Sequence, residues 1–78
     1  MKFALKILPR PEVLDTQGRA VEMTLKSNGH QVSSCRVGTY IVVDVEAKDL
    51  EDGQSKAVAM AENGLYNPLV EVYELETL

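Results

Sequence analysis

The sequence predicts a small α+β domain with the element order β-α-β-β-α-β, the order of a ferredoxin-like two-layer sandwich. Polar and apolar residues alternate with the period of a strand near both ends of the chain, and two amphipathic segments begin at helix-capping residues. The chain has only 78 residues, which is one domain. We therefore expect a four-stranded antiparallel sheet with both helices on one face.

The first strand is predicted over Lys2–Leu8, where polar and apolar residues alternate. The apolar residues that share one face of it are Phe3, Leu5 and Ile7. Pro9 and Pro11 cannot continue a paired central strand or a helix, so the chain turns out into a loop. We expect this loop to hold Arg10 stiffly between the two prolines.

The first helix is predicted to begin after Asp15, whose carboxylate can cap it, and to end at Asn28-Gly29. Gly29 can take the left-handed conformation that ends many helices. The apolar stripe of this helix is formed by Leu14, Gly18, Val21 and Leu25. A glycine on the stripe indicates that another backbone segment approaches closely.

Two extended segments follow at Val32–Val37 and Thr39–Glu46, and both are rich in β-branched residues. Gly38 separates them, so we expect a hairpin or one bent ribbon. In the second segment, the residues on the face expected to enter the core are Ile41, Val43 and Val45.

The second helix is predicted between Asp49, its N-cap, and Asn67-Pro68, since the residue before a proline is disfavoured in the α region. Its expected buried stripe is Leu50, Gln54, Ala57, Val58, Ala61 and Leu65. Gly53 is expected to weaken its first turn slightly. Alternation returns over Leu69–Leu75, which predicts the last strand.

The second face of the sheet is too apolar to remain entirely in water. The residues expected there are Leu8, Tyr40, Val42, Leu69, Tyr73 and Leu75. A chain this short obtains only about 3–5 kcal/mol from its own core. We therefore predict a homodimer or higher homo-oligomer in which another copy covers this face or the edge of the last strand.

Composition excludes several classes of protein. Eight Lys and Arg against twelve Asp and Glu give a net charge of −4 and a pI near 4.8, which argues against nucleic-acid binding. No apolar run approaches the ~20 residues of a membrane-spanning helix, and Met1–Leu8 lacks the features of a signal peptide. We expect a cytoplasmic protein that has no membrane partner.

We expect no catalytic, cofactor or metal site in this chain. Cys35 is the only cysteine and His30 the only histidine, and their spacing does not predict a contact. The five glycines are too widely spaced for a phosphate-binding loop. The acidic residues between Asp44 and Asp52 lack the alternating spacing of a calcium loop, and solvated charge is the simpler interpretation.

Three segments of the chain carry motif-like sequences: V-L-D-T-Q-G-R-A-V at 13–21, R-V-G-T-Y at 36–40 and L-Y-N-P-L-V-E at 65–71. They resemble motifs of the PurS family, the small subunit of phosphoribosylformylglycinamidine (FGAM) synthase. Residues 13–21 resemble the family's V-L-D-P-Q-G-x-A-V, with Thr16 in place of proline. R-V-G-T-Y at 36–40 is similar to R-x-G-K-Y, and L-Y-N-P-L-V-E at 65–71 is similar to L-A-N-P-V-I-E. Order and spacing agree over the whole chain, so residues 1–78 resemble a single PurS-like domain.

The resemblance implies a non-catalytic accessory subunit of a glutamine- and ATP-dependent C–N ligase, in the fourth step of de novo purine biosynthesis. Such a subunit bridges the synthetase subunit (PurL) and the glutaminase subunit (PurQ) and supports ammonia transfer between them. The candidate partner contacts match the motifs or lie beside them: Arg10, Asp15, Gln17, Arg36, Asn67 and Glu71.

An alternative with the same element order is an ACT-like regulatory module that binds a small molecule. Such modules place a pocket at a dimer interface, often with a glycine in the loop after the first strand. This chain has Pro9-Arg10-Pro11-Glu12 in that loop. The two interpretations are separated by whether the chain joins partner subunits or binds a small ligand alone.

Overall fold

The computed structural model describes residues 1–78 and contains one antiparallel sheet of three strands. The strands are β1 (Lys2–Pro9), β2 (Thr39–Asp44) and β3 (Glu71–Thr77), in the spatial order β2-β1-β3. The helices are α1 (Thr16–Ser27) and α2 (Leu50–Met60), and a π-helical turn at Ala61–Leu65 extends α2. None of the helices is both long and apolar enough to cross a membrane.

The core lies between the sheet and α2. Phe3 stands opposite Val43, and Leu5 stands between Ile41 and Leu75 in the ladder of the central strand. Phe3 and Leu5 are completely buried. The predicted inward faces of β1 and β2 are therefore confirmed, because Phe3, Leu5 and Ile7 are buried and Ile41 and Val43 are half-buried in the core.

The face that α2 buries differs from the predicted stripe. Its buried residues are Gly53, Ala57 and Ala61, whereas Leu50 and Val58 are exposed. A Cβ atom at Gly53 would lie 2.6 Å from the Met1 sulfur and 3.0 Å from the Phe3 ring. Small residues let α2 approach the sheet closely, so Gly53 is a packing residue and more than a weak point in the first turn.

Both predicted helix caps are confirmed. The Asp15 carboxylate accepts a hydrogen bond from the Gly18 N–H, and that of Asp49 accepts one from the Asp52 N–H, each at 2.8 Å. After α1, Gly29 has a φ of +86°, the left-handed value that glycine adopts without strain. The sequence therefore placed both helix starts and the end of α1 correctly.

The α+β class, the antiparallel sheet and the two helices are confirmed, but the predicted strand at Val32–Val37 is wrong for the single chain. That segment is irregular and does not pair with β2, and its Cys35 carbonyl lies against Gly18 of α1. Its end is held by Asp15, whose carboxylate accepts the Val37 N–H at 2.8 Å. Helix α1 itself makes only marginal contact with the sheet, so α2 alone covers the sheet face.

The last strand begins two residues later than predicted, because Asn67–Val70 forms a turn in which the Asn67 carbonyl accepts the Val70 and Glu71 N–H groups. Tyr73 and Leu75 were expected on the open face of the sheet, and this is wrong. Both pack against the core under α2, since β3 places them opposite Ile7 and Leu5.

The open face of the sheet carries both apolar and charged side chains. Tyr40 and Val42 are 58% and 50% exposed there. Lys6 lies beside them and forms a salt bridge of 3.2 Å with Glu76. Val72 of β3 lies on the same face opposite Leu8 and is 38% exposed, so the apolar part of this face extends over all three strands.

Candidate partner-contact surface

The candidate residues are scattered over 62 positions of the sequence, from Arg10 to Glu71, and the structure brings them to one end of β1. Three segments meet there. They are the Pro9–Asp15 loop with the start of α1, the segment before β2, and the turn before β3.

Arg10 joins the Pro9–Asp15 loop to the turn before β3. Its Nε and Nη2 atoms donate hydrogen bonds to the Pro68 carbonyl oxygen at 3.0 and 2.8 Å. Its backbone N–H donates to the Val70 carbonyl at 2.8 Å. Both the backbone and the side chain of Arg10 are therefore anchored to the turn before β3.

Arg36 joins the segment before β2 to the Pro9–Asp15 loop, because its Nη2 atom donates a hydrogen bond to the Pro9 carbonyl oxygen. Both guanidinium groups therefore use part of their donor capacity on backbone carbonyls of neighbouring loops. An arginine has five N–H donors in a planar fork, and Arg10 uses two of them here. The remaining donors are available to a carboxylate outside the chain.

Asp15 has its two carboxylate oxygens on two different segments. One oxygen accepts the Gly18 N–H of α1 and the other accepts the Val37 N–H, both at 2.8 Å. The hydrogen bond from Gly18 lowers the pKa of Asp15 most, and the hydrogen bond from Val37 comes second. The nearby positive charge of Arg36 lowers this pKa further. Asp15 is therefore a cap and also a link between α1 and the segment before β2.

Gly18 makes this link possible because a side chain would not fit. A Cβ atom at this position would lie 2.5 Å from the Cys35 carbonyl oxygen and 2.8 Å from the Asp15 carboxyl carbon. The close backbone approach predicted from this glycine is thereby confirmed.

Asn67 and Glu71 build the turn that leads into β3. The Asn67 N–H donates to the Glu71 carboxylate at 2.7 Å, and the Asn67 side-chain oxygen accepts the Leu69 N–H at 3.1 Å. Glu71 stands opposite Pro9 in the β1–β3 ladder. These contacts fix the carbonyl of Pro68 in the position where Arg10 reaches it.

Two adjacent clefts open on this surface, with volumes of about 310 and 320 Å³, and Pro9, Leu14 and Asp15 line both. Arg10, Arg19 and Arg36 line the first cleft. Gln17 and Glu71 line the second. Gln17 is exposed, and its side chain makes no hydrogen bond within the chain.

Arg19 and Gly38 also belong to this surface, and the sequence analysis missed both. Arg19 lies one helical turn after Asp15, and that spacing was the available signal. Gly38 lies inside the R-V-G-T-Y motif, and a Cβ atom there would clash with the Ile7 carbonyl oxygen. Its absence of a side chain lets the segment before β2 lie against β1.

The surface has the chemistry of recognition by guanidinium and carboxylate groups. No hydrogen bond joins Cys35 to His30, and no group of three His, Cys, Asp or Glu side chains is placed to hold a metal ion. Among the acidic residues from Asp44 to Asp52, the carboxylates of Asp44, Asp49 and Asp52 have partners within the chain. Asp44 binds the N-terminal amine at 3.0 Å, and Asp52 pairs with Lys56 at 3.2 Å.

Comparison with known proteins gives one consistent family. The PurS family model, described as phosphoribosylformylglycinamidine (FGAM) synthase, matches residues 2–78. The phosphoribosylformylglycinamidine synthase subunit PurS of Thermotoga maritima is 35% identical over 78 residues, which cover 99% of this chain and 95% of that protein. The subunit of the same name from Synechocystis is 37% identical over 68 residues, covering 86% and 68% of the two chains.

Solved structures agree with these matches. The crystal structure of the purS subunit of Thermotoga maritima has a TM-score of 0.94 at 35% identity and covers 99% of this chain and 90% of that one. Thermus thermophilus PurS has a TM-score of 0.86 at 40% identity, with 99% and 95% covered. A chain of the PurLQS structure from Thermotoga maritima has a TM-score of 0.92 at 35% identity, with 99% and 95% covered.

Proposed function

This chain belongs to the PurS family, and we propose that it is the small accessory subunit of FGAM synthase in de novo purine biosynthesis. The observation that carries this proposal is that the family match and the match to solved structures of that family both span nearly the whole chain. The family match spans residues 2–78, and the three motifs of that family converge on one surface. We propose that residues 1–78 act as one domain in the cytoplasm, without a catalytic site of their own.

We propose PurL and PurQ as the partners, because a similar chain is part of a PurLQS structure from Thermotoga maritima. The subunit would bridge the synthetase and glutaminase subunits. Ammonia released in bulk water becomes protonated and loses its nucleophilicity. A bridge that holds two active sites in register supports the reaction through preorganisation, with no bond chemistry of its own.

The partner-contact surface is the region that we propose for this bridge. Arg10 and Arg36 are already held by carbonyl groups, so little side-chain entropy is lost when a partner carboxylate binds their remaining donors. Asp15, Asn67 and Glu71 shape the surface through their contacts with the backbone. Gln17, whose side chain makes no hydrogen bond within the chain, is free to bind a partner.

We also propose that the subunit is a homodimer or higher homo-oligomer that associates through the open sheet face. Tyr40 and Val42 lie side by side on that face and are half exposed or more. Covering them with a second copy removes apolar surface from water, which is favourable by about 25 cal/mol per Å².

The test is size-exclusion chromatography with light scattering on this chain mixed with cognate PurL and PurQ, glutamine and Mg-ADP. We expect the three proteins to elute together, and we expect Arg10→Ala and Arg36→Ala to weaken that complex. Lys26→Ala is the matched control, because Lys26 is exposed at the far end of α1 and bonds only Glu22.

The proposal fails if the wild-type chain elutes apart from both partners. A rise in melting temperature with free amino acids alone would then favour the regulatory-module interpretation. Circular dichroism of each variant separates loss of binding from loss of folding, since both arginines also hold loops together.

A further inference from the structure

All three arginines of the chain, Arg10, Arg19 and Arg36, line the first of the two clefts, the one of about 310 Å³. The chain as a whole is acidic, with a net charge of −4, so this concentration of positive charge is local. None of the three arginines forms a salt bridge within the chain. We name this cleft the arginine cleft.

Asp15 is the only acidic residue that lines the arginine cleft. Its carboxylate oxygens accept hydrogen bonds from the Gly18 and Val37 N–H groups and none from an arginine. Three guanidinium groups less one carboxylate leave the cleft with two positive charges in excess. Because the Gly18 N–H is occupied, the donors left for an anion at this place are those of the side chains. Like charges held close together repel each other, and an anion from outside the chain offsets that repulsion.

The guanidinium groups differ in how firmly they are held. Arg10 donates two hydrogen bonds to the Pro68 carbonyl oxygen and Arg36 donates one to the Pro9 carbonyl oxygen, so both are anchored and still have N–H donors to spare. Arg19 is exposed, and its side chain makes no hydrogen bond within the chain. An oxyanion in this cleft therefore meets two anchored donor groups and one that can adjust to it.

We propose that the arginine cleft binds a phosphate dianion, either free phosphate or the phosphate group of a small monoester. A dianion neutralises both excess charges, whereas a single carboxylate would leave one of them unpaired. The planar donor fork of arginine also matches phosphate oxygens in pairs. This proposal concerns the chain by itself and does not rest on its role as a subunit of FGAM synthase.

The size and walls of the cleft suit a small phosphate compound. Its volume of about 310 Å³ lies at the lower end of the range of about 300–1,000 Å³ for small-molecule sites. Leu14, which is 65% exposed, and Pro11 line the same cleft. These two side chains offer an apolar contact to the organic part of an ester.

The test is a titration of the ¹⁵N-labelled chain with inorganic phosphate, followed by NMR at constant ionic strength. The arginine Nε–H signals and the backbone signal of Gly18 report on the cleft. We expect these signals to shift and to saturate, with a dissociation constant in the millimolar range or below. Glycerol phosphate and adenosine monophosphate are titrated in parallel. Tighter binding of either ester than of phosphate assigns the cleft to a monoester, and equal or weaker binding assigns it to free phosphate.

Arg19→Ala is the decisive variant, because the Arg19 side chain holds no other part of the fold and its removal leaves Arg10 and Arg36 anchored. We expect it to weaken phosphate binding about tenfold, the size expected for one lost charge-assisted contact. Arg19→Lys should weaken binding less, since lysine keeps the charge without the fork. Lys2→Ala is the matched control. Lys2 is exposed at the opposite end of β1 from Arg10 and forms no salt bridge, so its loss removes the same charge outside the cleft.

The charge of the bound form is tested by pH. A phosphate monoester has its second pKa near 6, so it is mostly a dianion at pH 7.5 and mostly a monoanion at pH 5. We expect its binding to weaken about tenfold over this range, in step with the dianion fraction. Sulfate is a dianion at both pH values and therefore reports any titration of the groups that line the two clefts, which are Asp15, Cys35 and Glu71. We expect sulfate binding to change little.

Three results would each overturn the phosphate site: shifts that stay linear in phosphate concentration, equal weakening by Lys2→Ala and Arg19→Ala, or binding of acetate as tight as that of phosphate. If phosphate does not bind and Arg19→Ala instead weakens co-elution with PurL and PurQ, the arginines serve a partner's carboxylate, and the phosphate site is overturned. A chain that binds phosphate but does not elute with PurL or PurQ leaves this site standing and overturns only the bridging role.

Discussion

Replacing Gly18 by alanine tests the packing of α1 against the segment before β2, because two physical effects predict opposite signs. Alanine is a better helix former than glycine by about 1 kcal/mol, so helix propensity alone makes the variant more stable. The structure makes it less stable, since the added Cβ atom would lie 2.5 Å from the Cys35 carbonyl oxygen and 2.8 Å from the Asp15 carboxyl carbon.

The cost of overpacking is expected to exceed the gain in helix propensity. Overpacking costs about 1–3 kcal/mol, and the upper part of that range applies when a backbone carbonyl has to move. After the gain in helix propensity, we expect Gly18→Ala to be less stable by about 2 kcal/mol. For a chain of this size, that loss corresponds to a fall in melting temperature of about 8 °C or more.

The assay is thermal and urea unfolding at a fixed chain concentration, because self-association would make the melting temperature depend on concentration. Ala20→Gly in the same helix is the control. Ala20 is exposed, so this change should cost only the propensity difference of about 1 kcal/mol. A Gly18→Ala variant as stable as wild type, or more stable, would refute the packing that we describe.

Three further expectations follow from other parts of the structure. Val42→Glu on the open sheet face should shift the chain toward smaller species in sedimentation, and an unchanged distribution would remove that face from the interface. Asp15→Asn keeps a good helix cap without the charge; because the pKa of Asp15 in the folded chain lies below its ordinary 3.8, wild type should be more stable than the variant at pH 7. That advantage should disappear as pH falls through the lowered pKa, and a gap in unfolding free energy that stays constant down to pH 2 would contradict the assignment. Phe3→Ala empties the centre of the core at a cost of about 3–5 kcal/mol, which should leave the chain largely unfolded by circular dichroism at 25 °C.

Local features of the fold were readable from the sequence because they depend on short-range chemistry. Asp15 and Asp49 predicted the starts of the two helices, and Gly29 predicted the end of α1, because capping requires particular side chains and backbone angles. The alternation along β1 predicted its buried face, because successive side chains of a strand point to opposite sides of the sheet.

Strand pairing and the choice of sheet face were not predictable, because they depend on contacts between residues far apart in the sequence. The periodicity of Val32–Val37 is that of a strand, but no pattern within it says whether its neighbour lies in the same chain. Tyr73 and Leu75 were assigned to the wrong sheet face because alternation separates the two faces of a strand without showing which face meets α2.

The partner-contact surface was predictable only through the family resemblance. Nothing in spacing or composition relates Arg10 to Pro68, or Arg36 to Pro9, since each pair is joined only by the final topology. The motifs contain most of the residues, and the structure shows that Arg19 and Gly38, which lie within two of the motifs, also belong to this surface.

Glutamine-dependent turnover of reconstituted FGAM synthase is the most direct measure of whether this chain is its accessory subunit. Cognate PurL and PurQ would be assayed with ATP, the ribotide substrate and glutamine, with and without this chain, and in parallel with ammonium in place of glutamine. We expect glutamine-dependent turnover to require this chain and turnover with ammonium to be independent of it. Equal glutamine-dependent turnover with and without the chain would contradict the role that we propose.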